Sequence, residues 1–180
     1  MRELYFSISS NLPPEIIELK NNAFKSNLLN EKAARVEDKG TYVIVKKGDV
    51  FLGALTVSVA GEILQAWSNG KITSDKNDLF LSRGFIIQNP YFRIREVFKL
   101  LILHTLNFYH DKTIITSVRP SNKGVREVIE LFGFEKYGLM HSYHSIENDS
   151  VDLILFKLEN YNLNFEQKKK EILSDIQPAF

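Results

Sequence analysis

Arg93 and Arg95 stand just after the Asn89-Pro90 break and open a long apolar run, the place where a helix would turn its unpaired N–H groups outward. Such an end attracts anions through its free amides and its dipole, so the pair reads as a candidate phosphate contact or as a solvated helix face. Asn122, behind Arg119-Pro120-Ser121, reads as a helix cap and as a second candidate ligand contact. Ser82 and Arg83 fall in an extended segment, where alternation puts only one of them on each face of a sheet. An arginine there needs a partner, and Asp78, Glu62 or a substrate carboxylate are the candidates. His141 and His144 point to opposite faces of an extended segment, which argues against a shared metal, and no metal is expected. His104, among Leu100, Leu101 and Phe108, reads as a packing residue. Trp67, in a stretch of mixed polarity, is a candidate pocket wall, and Lys168 to Lys170 read as a solvated helix face.

The elements that must position these residues follow from periodicity. Leu4 to Ser9 alternates as a strand, and Asn11-Leu12-Pro13-Pro14 leads into a helix whose Ile16, Ile17, Leu19, Ala23 and Phe24 lie mostly on one side. A short second helix is expected from Glu31 to Glu37. Thr41 to Lys46, the Lys47-Gly48-Asp49 turn and Val50 to Ala60 form an antiparallel hairpin, and Gly61 to Asn77 is then a long loop with room for a helical turn. Asp78 to Gln88 is a strand, Phe92 to Tyr109 a helix, and Thr113 to Val118 a β-branched strand that Pro120 ends. Val125, Val128, Ile129 and Phe132 then recur at helical spacing, and Gly133 closes that helix. A βαβα unit of this kind favours parallel strands with a right-handed crossover and a crevice at the strand ends. Glu135 to Ile146 and Ser150 to Glu159 form a last hairpin around Glu147-Asn148-Asp149, and the tail from Asn160 is an amphipathic helix carrying Phe165, Ile172, Leu173 and Ile176.

Composition narrows the classes. A chain of 180 residues with 44% hydrophobic and 25% charged residues is an ordinary globular domain, able to bury roughly 70% of its unfolded surface. A net charge of +1 gives no general argument for nucleic acid. The absence of cysteine excludes disulfides, thiolate zinc sites and cysteine nucleophiles. Met1-Arg2-Glu3-Leu4 lacks the apolar core of a secretion signal, and no stretch reaches the roughly 18 apolar residues of a membrane span, so a cytoplasmic protein without a membrane partner is expected.

The order strand, two helices, hairpin, βαβα, hairpin resembles the Gcn5-related N-acetyltransferase superfamily from about Leu4 to Leu158. Gly48-Asp49 followed by Leu52-Gly53-Ala54 is similar to the family's turn and strand, Pro90 and Arg93 to the start of its pyrophosphate loop, and Asn122 with Gly133-Phe134 to its Asn-to-Gly-Phe spacing. The sequence departs from the pattern where the family's loop glycines are replaced by Ile94, Glu96 and Phe98, and where a proton-donating tyrosine is replaced by Ile129. Leu81-Ser82-Arg83 is similar to the Ser-Arg pair of relatives that make acyl-homoserine lactones or N-acyl amino acids from carrier proteins.

The resemblance implies a mixed, mostly antiparallel sheet with a central parallel pair, flanked by helices. It implies one acyltransferase domain over residues 1–159, with 160–180 as a helical extension and candidate dimer element. It implies acetyl-CoA or another acyl thioester as co-substrate and a small-molecule or peptide amine as acceptor, with acyl carrier protein as an alternative donor. Phe85, Ile86, Ile87 and Gln88 would hold the pantetheine through their backbone, with Arg93, Arg95 and Asn122 completing the donor site. Arg83 and Trp67 would meet the acceptor, and Glu62 or a water chain would act as base. Tyr137 would act as acid, with Tyr143, His141, His144 and solvent as alternatives. A non-catalytic binding or regulatory module on the same scaffold is the reading from another class, and a nucleic-acid-modifying relative a third, disfavoured by the near-neutral charge.

Overall fold

The computed structural model describes residues 3–24, 31–143 and 150–175. Seven strands form one sheet in the order β1-β2-β3-β4-β5-β7-β6: β1 Leu4–Ser9, β2 Thr41–Lys47, β3 Val50–Val59, β4 Leu79–Ile86, β5 Ile114–Val118, β6 Glu135–Tyr143 and β7 Ser150–Leu158. Every neighbouring pair is antiparallel except β4 and β5, which run parallel as a helical crossover requires. This is the expected mixed sheet around a central parallel pair.

Among the described residues six helices cover its two faces: α1 Pro14–Phe24, α2 Glu31–Asp38, α3 Ala60–Trp67, α4 Ile94–Phe108, α5 Lys123–Leu131 and α6 Phe165–Ser174. On one face α4, α5 and α6 bury Val97, Leu101, Ile129 and Ile172 with Val43, Leu55, Leu81 and Val118. On the other, α3 sets Ile63 and Leu64 on Phe80, Ile115 and Leu155, while Ile16 of α1 packs on Tyr42, Ile44 and Ala54. The extension from Asn160 is therefore seated on the common core through Ile172, with Phe165 and Leu173 packed beside it.

Two sequence expectations change, and some fall where nothing tests them. The stretch after β3 is not a loop from Gly61: Ala60 to Trp67 is a helix, begun at Val59 without any side-chain cap. On α1, Ile17 and Leu19 are exposed, and among the described side chains the inward ones are Ile16 and Lys20, those of Ala23 and Phe24 lying outside the description. The turn at Glu147-Asn148-Asp149, His144 and Ile176 lie outside the described residues, as does the side chain of Tyr143.

The ends of α5 are made by the residues that the spacing singled out. Asn122 Oδ1 accepts the Val125 N–H at 3.2 Å, satisfying one of the helix's orphan donors. At the other end Gly133 takes φ 85° while its N–H reaches Glu130 O and the Phe134 N–H reaches Ile129 O, a Schellman closure that a side chain at position 133 would strain. α5 therefore starts and stops where it must to stand beside the end of β5.

Candidate active site

The two parallel strands stay together only briefly. Leu79, Phe80 and Leu81 pair with Ile114, Ile115 and Thr116, and no pairing follows. Beyond that point β4 holds only β3, while β5 holds only β7 through Ser117 and Val118. The side of β4 that faces β5 from Ser82 to Ile86 thus has no strand partner. A cleft of about 820 Å³ opens in the gap.

This cleft passes through the sheet. On the α4/α5 face its walls include Ile94, Arg95, Phe98, Asn122 and Ile129, and on the other face they include Glu37, Trp67, Phe80 and Leu153. Most of the wall is apolar, with Glu37, Ser82, Arg83, Arg95, Arg119 and Asn122 among its polar groups.

A β-bulge shapes the slot. Ala54 pairs with Phe85 but Thr56 pairs with Ser82, so β4 carries one residue more than β3 across this step. Arg83 absorbs it at φ 46°, a left-handed conformation seldom used by a residue with a side chain. The extra residue breaks the expected alternation. Arg83 is delivered to the α2 side with Ser82, whereas Gly84 turns to α4, where a Cβ would lie 2.9 Å from Leu55 Cδ2 and 3.5 Å from Phe98. A side chain at position 84 would intrude on this wall.

The partner of Arg83 is none of those anticipated. Its Nε lies 2.5 Å from Glu37 Oε2 and its Nη1 3.3 Å from Asp38 Oδ1, both on α2. The Arg83 side chain is 10% exposed and that of Glu37 2%. Lys20 completes the cluster, donating to Tyr42 Oη at 2.9 Å and lying 3.7 Å from Asp38. Burial pushes the Glu37 carboxyl above its usual range, although Arg83, the Ser82 hydroxyl and Lys20 pull it down. Beside this ion pair, Glu37 Oε2 has no hydrogen-bonded partner among the described residues.

The other sequence candidates divide. Arg83, Trp67, Phe85, Ile86, Arg95 and Asn122 all line the cleft, whereas Ile87, Gln88 and Arg93 are not among its walls. The slot begins earlier along β4 than expected, because the strands part after Leu81 and the Ile87 N–H is already committed to Leu52 O. Glu62 is exposed on α3 and lies outside the cleft. Tyr137 lines a separate hollow with Asp78, Thr113 and Lys157 at the opposite end of the parallel pair. Burial raises the Tyr137 hydroxyl's pKa there. His141 is exposed against Asp152, and His104 packs on Phe6 with ring centroids 4.9 Å apart. No group of metal-ligating side chains occurs among the described residues, and none of the described helices is long and apolar enough to cross a membrane.

The start of α4 differs from an open anion cradle. Asn89 Oδ1 accepts the N–H groups of Tyr91 at 3.0 Å and Phe92 at 2.9 Å. Glu96, in the first turn, is buried, and its Oε2 has no hydrogen-bonded partner among the described residues. Arg95 shares its charge with Glu127 of α5 at 3.4 Å. Two amides that could have met a phosphate are therefore occupied by a side chain of the same loop.

Sequence missed Glu37 as a site residue, since nothing local marks a glutamate near the end of a short helix as the partner of a distant arginine. The arginine itself was the available signal: a cation inside a strand demands an anion.

This sheet, with its parted parallel pair, is the fold of the Gcn5-related N-acetyltransferases. Among solved structures the chain is similar to a protein described as a probable acetyltransferase from Staphylococcus epidermidis (TM-score 0.63, 12% identity, 88% of this chain and 100% of that one). It is also similar to the AHL synthase LasI (TM-score 0.59, 15% identity, 87% and 91%) and to Arabidopsis thaliana Naa50 in complex with the bisubstrate analogue CoA-Ac-MVNAL (TM-score 0.54, 16% identity, 86% and 98%). No family model matches the sequence, and no curated protein does.

Proposed function

We propose that the chain is an N-acyltransferase that moves an acetyl or longer acyl group from acyl-CoA to an amine by direct attack in a ternary complex. The observation that carries this reading is the separation of β4 from β5 after Leu81 and Thr116, which leaves the edge of β4 without a strand partner along a cleft lined from both faces. A pantetheine arm has amides that such an edge can pair with. It would enter from the α4/α5 face past Arg95 and Asn122, with the backbone at Phe85 and Ile86 beside its thioester. Ile87, Gln88 and Arg93 would lie further out.

The acceptor amine would come from the face of Trp67 and Arg83. Its nitrogen attacks the thioester carbonyl carbon, the C–N bond forms, the C–S bond breaks and the thiolate leaves with the electron pair. Holding both reactants in one slot supplies much of the rate, and amides aimed at the developing oxyanion supply more. The complex of Naa50 with a CoA-containing analogue supports a thioester in this slot.

A second reading keeps the chemistry and changes the carrier. Because Asn89 already occupies the Tyr91 and Phe92 amides, the free end of CoA has a diminished anchor, which favours a pantetheine delivered on an acyl carrier protein.

A thermal-shift series with acetyl-CoA, octanoyl-CoA, CoA and octanoyl-acyl carrier protein tests both, joined to thiol release in the presence of amino acids, polyamines and short peptides. A donor at a hundred times its dissociation constant adds about 2.7 kcal/mol, or about 5 to 10 °C in Tm for a chain of this size. Stabilisation by the carrier-borne thioester alone selects the second reading. If no thioester stabilises, the acyltransferase proposal fails and a non-catalytic module remains.

A further inference from the structure

Direct attack by an amine releases a proton that must be taken up close to the thioester. Among the described residues that line the cleft there is no histidine, tyrosine or lysine, and Glu37 is the single carboxylate. The arginines on the wall, Arg83, Arg95 and Arg119, hold their protons at any working pH. Glu62 and Tyr137, the base and acid that the sequence put forward, both lie elsewhere. We infer that Glu37 is the catalytic base that accepts the acceptor amine's proton. This rests on the acyltransferase reading.

The placement suits the task. Glu37 stands with Trp67 on the face opposite Arg95 and Asn122, so a nucleophile arriving on its side meets a thioester arriving on the other. Its buried Oε2 lies against Arg83 Nε at 2.5 Å without a hydrogen-bonded partner among the described residues, so the guanidinium holds the carboxyl group at the cleft wall. The groups facing it are Arg83 and Ser82 of β4, Lys20 of α1 and its helix neighbour Asp38, with Tyr42 of β2 holding Lys20. Arg83 keeps an ionised form in place, while burial makes that form more basic than a solvated carboxylate. As the C–N bond forms and the C–S bond breaks, the nitrogen's proton passes to Glu37 and then to water, and the thiolate leaves with its electrons.

The test uses the full chain with acetyl-CoA or octanoyl-CoA and whichever amino acid, polyamine or peptide gives the fastest thiol release. Glu37→Gln should still be stabilised by the thioester as the wild type is. Its kcat should fall about 10²- to 10⁴-fold, and the acid limb of its pH profile should vanish. Glu37→Asp keeps a carboxylate and should keep an acid limb with a displaced midpoint; it serves alone if the glutamine variant does not fold. An unchanged kcat and acid limb in Glu37→Gln, an unmoved midpoint in Glu37→Asp, or loss of thioester binding with either overturns the inference alone. A wild-type chain that binds no thioester and releases no thiol overturns the acyltransferase reading as well.

Discussion

Thr116 Oγ1 donates to the carbonyl oxygen of Leu81 at 2.9 Å, and these two residues are the last pair that β4 and β5 share. The bond is buried and joins the strands where the gap begins, so it acts as a clasp at the root of the cleft.

Thr116→Val keeps the shape of the side chain and removes the clasp. The expected loss is about 1 kcal/mol, the usual net value of one such bond, read as a lower urea midpoint at unchanged m-value. An unaltered midpoint would mean that the hydroxyl does not help to hold the junction.

Arg83→Met leaves Glu37 buried against an apolar side chain. Removing one partner of a buried pair costs about 3 to 5 kcal/mol, and pairing the change with Glu37→Gln should restore most of it. The deficit also has a pH sign. Glu37's folded pKa is raised from 4.5, so its contribution is favourable below 4.5 and is lost as pH rises through the folded value. Without Arg83 that value rises further, so the variant should be nearly normal near pH 4.5 and poorest at neutral pH. Chemical denaturation of both variants across this range checks it.

His104 has the opposite sign. Both ring nitrogens are buried without hydrogen-bond partners among the described residues, and burial, helped by Lys169, lowers its pKa from 6.5 to about 4. The neutral ring is favoured in the folded chain, so stability present above pH 6.5 is lost as pH falls toward 4. His104→Phe fits between Phe6 and Phe165 and should remove that acid sensitivity, with proton uptake on unfolding at pH 5 reduced by up to about one. Equal slopes of stability against pH in the two proteins would refute this.

Asn89→Gly should release the Tyr91 and Phe92 amides at a cost of about 1 kcal/mol in stability. Under the acyl-CoA reading it tightens CoA binding severalfold, as calorimetry would record. Unchanged affinity would show that these amides take no part in holding a phosphate.

What was legible in the sequence was local. The turn at Gly48-Asp49, the cap at Asn122 and the stop at Gly133 are written in residues whose backbone preferences need no distant help, and the parallel pair follows from the helix between its strands. α3 was hidden because the apolar run of β3 passes into Ala60 without a breaker or a capping side chain. The bulge was hidden because the residue that takes the positive φ is an arginine rather than a glycine. Glu37 was out of reach for a different reason: its environment comes from β4 and α1, and no spacing along the chain announces that meeting.

The walls of the cleft lie on both faces of the sheet. Under the acyltransferase reading donor and acceptor would approach from different faces, so neither must leave before the other arrives, and double-reciprocal plots should intersect rather than run in parallel.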